Sequence, residues 1–65
     1  MRYQIIKSNP SWMVDSEGHF TGYAGDSILA FHRSLNAAWE NVHKLSKHTR
    51  VNGIWDTVDN CWVED

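Results

Sequence analysis

Read for its alternation of apolar and polar positions, the chain breaks into short extended segments around one helical stretch. Arg2 to Ser8 alternates as a strand does: Tyr3 and Ile5 share one face, Ile6 points to the other, and Asn9-Pro10 ends the run. A second strand starts at Trp12-Met13-Val14, with Trp12 and Val14 on one face. Asp15-Ser16-Glu17-Gly18 is a turn, because Asp can accept from the backbone ahead of it and Gly tolerates positive φ. His19 to Tyr23 returns as a third strand, so residues 12–23 predict a hairpin. Ala24 to Ser27 is the next break.

The firmest element is a helix over 35–49. Leu35, Ala38, Trp39, Val42 and Leu45 recur at helical spacing and make one apolar stripe. Glu40, Lys44, Lys47 and His48 occupy the other face. Glu40 and Lys44 form an i,i+4 pair in the favourable order, and the late lysines suit the helix dipole. Ile28 to Arg33 satisfies two patterns: an alternating strand, or the first turns of one long helix capped at Asp26 or Ser27. Its aromatic and β-branched content favours a strand, followed by a helix capped at Ser34. Gly53 is expected to stop the helical segment.

Ile54 to Glu64 predicts a closing hairpin with Asp59-Asn60 as its two-residue turn. Val58 then opposes Cys61, and Thr57 opposes Trp62. One face of this ribbon holds Ile54, Asp56, Val58, Cys61 and Val63; the other holds Trp55, Thr57, Trp62 and Glu64. The aliphatic face suits a core against Trp39 and Leu45. A single helix covers only one side of a sheet, so Trp55 and Trp62 would stand as a ridge on the other. Two readings stay open at this point. The ridge is a docking surface, since tryptophan is enriched at binding hot spots. Alternatively a bulge, the loop from Asn9 or the chain terminus covers it, and the tryptophans are core.

The fold class that follows is α+β: a small antiparallel sheet of four or five strands, in the order β-β-β-(β)-α-β-β, with one amphipathic helix on one face. Sixty-five residues allow a single domain with a marginal core. Four tryptophans, two tyrosines and two phenylalanines are how so short a chain gathers enough buried area. Cys61 is the only cysteine, which argues against a disulfide-stapled secreted domain. Met1 to Pro10 has no apolar signal region, and no run approaches the length of a membrane helix. The expectation is a complete cytoplasmic protein with no membrane partner.

Net charge is −2, but its distribution is uneven. Between Ser27 and Trp55 four cations (Arg33, Lys44, Lys47, Arg50) face the single acid Glu40. Outside it, Arg2 and Lys7 face seven acids, including the Glu64-Asp65 tail. The molecule should have a basic helix region and acidic turns and tail.

Candidate chemistry is sparse. His43 and His48 at i,i+5 lie about 140° apart around a helix, and no second cysteine completes a zinc set. Cys61 sits among acids, without the electropositive setting of a catalytic thiol, and reads as a buried strand cysteine. Acid pairs such as Asp15 and Glu17 lie in turns. The four glycines are too dispersed for a phosphate loop. No catalytic residue, metal site or cofactor is expected. The run Phe31 to Trp39 joins a strand to a Ser-capped, Ala-rich helix, a pattern found in unrelated folds. In size and make-up the chain resembles the small accessory proteins that bacteriophages encode to bind host machinery.

The expected function is therefore non-enzymatic protein binding: a module that inhibits or redirects a host protein by covering its surface, or pairs with its own copy. Trp55, Trp62, Thr57, Lys44, Lys47 and Arg50 would make the contact. The exposed edge for adding a strand is expected at Arg2 to Ser8. The alternative is nucleic-acid binding through the basic face of helix 35–49, disfavoured by the acidic overall balance.

Overall fold

The computed structural model describes residues 1–64. The acidic tail residue Asp65 lies outside them. Six strands and one α-helix follow in the order β1 (Tyr3–Lys7), β2 (Trp12–Val14), β3 (Phe20–Tyr23), β4 (Ile28–His32), α1 (Leu35–Leu45), β5 (Val51–Asp56) and β6 (Cys61–Trp62). A short 3-10 turn, Gly25–Ser27, leads into β4. Four strands form an antiparallel sheet in the order β4-β1-β5-β6, while β2 and β3 form a separate two-stranded ribbon. The α+β class is as the residue pattern implies, and Ile28–His32 is a strand that precedes a separate helix, not the start of one long helix.

The helix lies on the face of the sheet that carries Ile5 and Ile54. Those two and Ala38 are fully buried, with Tyr3, Leu35, Trp39, Val42, Leu45 and Val63 packed around them. The predicted apolar stripe is thus the buried stripe. Ser34 caps the helix, its Oγ accepting from the Ala37 N–H at 3.2 Å. The helix stops at Leu45, short of the expected Thr49. Lys47, His48 and Thr49 are exposed and bury nothing that would hold another turn. The N–H groups of His48 and Thr49 both donate to the Leu45 carbonyl (2.9 Å each), which turns the chain toward β5.

Four further expectations are corrected. Gly53 does not end the helical segment; it lies inside β5, opposite Ile6. A Cβ there would stand 3.4 Å from Trp62 Cε3, in ordinary contact, so the indole rests directly against this position. The stretch 2–8 is not an edge: β1 is flanked by β4 and β5, because the chain returns twice to pair with its apolar first strand. The closing ribbon pairs Trp55 with Trp62 and Asp56 with Cys61, leaving a four-residue connection, Thr57 to Asn60, in place of a two-residue turn. The Asp56 carboxylate drives this, accepting from the Val58 N–H (2.9 Å) and the Asp59 N–H (3.3 Å) inside the loop. Because the register moves by two residues, the residues that remain in the ladder keep their alternation of faces. Val58, however, leaves the core face for the exposed loop, and Cys61 is exposed instead of buried.

Candidate functional site

The tryptophan pair is brought together as the pattern demands. Trp55 and Trp62 are cross-strand partners whose ring centroids lie 5.1 Å apart at 80°. They do not form an open ridge. Phe20 and Tyr23 of β3 come down on them: Tyr23 stands 5.3 Å from Trp55 and 5.4 Å from Trp62, and Phe20 stands 5.5 Å from Trp55. Most of these contacts are edge-to-face, the geometry that ring quadrupoles favour. Trp55 is left 8% exposed and Trp62 is half-buried. The β2–β3 ribbon is therefore the cover for the second face of the sheet. It is anchored at its base by Ser27, fully buried, whose Oγ accepts from the Ser11 N–H at 2.8 Å. At its tip Asp15 Oδ1 accepts from the N–H groups of Glu17 and His19 (2.9 Å each), with Gly18 at φ 85°.

The other expected contact residues do not join the tryptophans. Thr57 is half-buried behind β5, its Oγ1 donating to the Arg2 carbonyl at 2.7 Å. Lys44 and Lys47 sit on the helix side of the sheet, opposite the aromatic cluster. With Arg50 and Lys7 they mark one end of the domain, where Ser8 N–H donates to the Arg50 carbonyl (3.1 Å) and Lys7 opposes Val51. None of the four is in an ion pair among the described residues.

The strong ion pair lies at the opposite end of β1. Arg2 grips Asp56 bidentately, Nε to Oδ1 at 2.9 Å and a terminal nitrogen to Oδ2 at 2.7 Å, and reaches Asp59 at 3.3 Å. The hydrogen bonds from Arg2 hold the Asp56 pKa down to about 2; burial opposes the shift, and the Val58 and Asp59 N–H groups add to it. The same bond raises the Arg2 guanidinium above its ordinary value. This is a structural clasp that closes the β5–β6 loop onto the chain start.

The surface that pattern reasoning passed over is β2. All three of its residues are large, apolar and open: Trp12 at 65%, Met13 at 49% and Val14 at 55%. Phe31 on the outer strand β4 is also exposed. A signal was available: three consecutive large apolar residues in an extended segment leave neither face polar. Among the described residues there is no pocket and no cluster of three metal-ligating side chains. No helix is long and apolar enough to cross a membrane. Comparison with protein-family models, curated proteins and solved structures returns no match.

Proposed function

We propose that the chain is a non-enzymatic protein-binding module that covers a partner's surface with its β2–β3 ribbon. The observation behind this reading is the exposed apolar strand Trp12-Met13-Val14, in a domain that buries its other tryptophans at least halfway. A patch of this kind costs solubility and recurs at interaction sites. The partner contact moves from Trp55 and Trp62, which serve the fold, to Trp12 and its neighbours. Quantitative pull-down from the source cells, with Trp12→Ala alongside, tests it. Loss of a hot-spot tryptophan costs about 2 kcal/mol or more, which is roughly a thirty-fold loss of retained partner. Equal retention by Trp12→Ala removes the reading.

A second reading rests on the cations Lys7, Lys44, Lys47 and Arg50 at one end of the domain, which form no ion pair among the described residues. It makes that end a contact for nucleic-acid phosphates. Phosphate affinity is greatest at low ionic strength, so absence of binding at about 50 mM salt excludes it.

A further inference from the structure

The open side of β2 is complementary to itself. In an antiparallel ladder, bonded and non-bonded residue pairs alternate. The Ala24 N–H donates to the Ser11 carbonyl (2.9 Å), so Ser11–Ala24 is a bonded pair and Met13–Gly22, two residues on, repeats that phase. The register shifts between Met13 and Val14, and beyond that irregularity the Asp15 N–H donates to the His19 carbonyl (2.9 Å), which sets the same phase there. Trp12 and Val14 fall between these pairs. Their N–H and C=O groups therefore turn away from β3 and have no strand to meet.

We infer that this edge pairs with the same edge of a second copy, antiparallel and centred on Met13, to join two ribbons into one four-stranded sheet. The inference rests on the docking role of the ribbon and names its occupant. In this register Trp12 of one copy lies opposite Val14 of the other. The outward groups of both residues exchange two hydrogen bonds on each side of the axis. The side chains form an aromatic–β-branched pair, a favourable cross-strand combination. Met13 meets its own equivalent across the axis. Asp15 falls opposite Ser11, so no acid is set against an acid. A twofold contact needs one patch that fits itself, and this strand supplies donors, acceptors and apolar side chains in matching order. Ser11 to Val14 carry no charge and no proline, and Pro10 and Asp15 bound the segment. Of the other open edges, β6 is only two residues long, β3 is interrupted by Gly22 at positive φ, and β4 is flanked by Arg33 and exposes only Phe31 among its large side chains.

From their exposures, the three β2 side chains offer about 300 Å² of apolar surface per copy, with Trp12 and Val14 on one face of the ribbon and Met13 on the other. Doubled, that stands below the roughly 1,000 Å² of a stable interface, so the dimer is weak and its population follows concentration.

Sedimentation velocity from about 10 µM to about 1 mM should show a reversible monomer–dimer equilibrium, as expected for so small an interface. Over the same range amide exchange at Trp12 and Val14 should slow several-fold, while Met13, already bonded to β3, should not change. Met13→Lys and Met13→Glu should each stay monomeric, since like charges then meet on the axis. Their equimolar mixture should dimerise again. A wild-type chain that is monomeric throughout overturns the inference. So does association that survives Met13→Lys, or a mixture that fails to re-form. The exchange measurement needs no variant and decides the matter if a substituted chain does not fold. A monomeric wild type whose captured partner is still lost on Trp12→Ala removes self-pairing and leaves the docking ribbon standing.

Discussion

Replacing Trp55 with alanine separates the tryptophan that builds the domain from the one that faces water. Trp55 is 8% exposed and meets three aromatic rings, those of Phe20, Tyr23 and Trp62. Its indole buries about 200 Å², which at about 25 cal/mol per Å² is about 5 kcal/mol, near the top of the 3–5 kcal/mol range for large aromatic truncations. A 65-residue domain has roughly 3–10 kcal/mol in total. Trp55→Ala should therefore remove half or more of the stability. Trp12→Ala, at a position 65% exposed, should stay within about 0.5 kcal/mol of the parent chain.

Urea unfolding followed by circular dichroism gives both values on one scale. A cycle combining Phe20→Ala with Trp55→Leu adds the coupling between ribbon and sheet, expected at about 1 kcal/mol for an edge-to-face pair. Equal costs for Trp12→Ala and Trp55→Ala would refute the reasoning. So would a loss under about 1 kcal/mol for Trp55→Ala, since no well-packed indole is that cheap to delete.

Acid should loosen the clasp at the chain start. Asp56 titrates at about 2 in the folded chain against an ordinary 3.8, so the unfolded state binds the proton first. The stabilisation is complete above pH about 4 and fades as pH falls through about 2; urea midpoints between pH 5 and 2 should fall less steeply for Asp56→Asn than for the parent. At Gly53, alanine should be nearly neutral, since its Cβ meets Trp62 at an ordinary 3.4 Å. Valine should push the indole off its seat and alter the near-ultraviolet dichroism of the tryptophan pair. Ser34→Ala removes the acceptor for the Ala37 N–H and should cost about 1 kcal/mol in the same urea assay.

The helix and its capping serine were legible because period and cap chemistry are local. The same holds for the Asp15–Gly18 turn. The faces of the closing ribbon were legible too, even though its register was not: moving the pairing by two residues leaves parity untouched. What sequence pattern missed was set by distant groups. No local signal says that Asp56 will be held by Arg2, 54 positions away, and so will widen the loop after β5. Nor does Arg2 to Ser8, alternating like many edge strands, announce that both β4 and β5 will return to it. The placement of Trp55 and Trp62 on one face was right. Their cover was not readable, because Phe20 and Tyr23 belong to a ribbon that pairs with no strand of the main sheet.

That last arrangement explains why exposed apolar surface sits where it does. A sheet with one helix has a second face to hide, and this chain has no second helix to hide it. Two adjacent strands joined by a tight turn are the smallest cover available. A ribbon this narrow lays one strand on the sheet and leaves the other outside it. Here β3 carries the rings that seal Trp55 and Trp62, and β2 is the strand left outside. If β2 served only to brace β3, backbone pairing would suffice and polar β-formers such as threonine would do. Trp12, Met13 and Val14 give little to the monomer at their exposures, and they raise the risk of aggregation. The docking role proposed above would give these side chains a use, on the same ribbon that completes the fold.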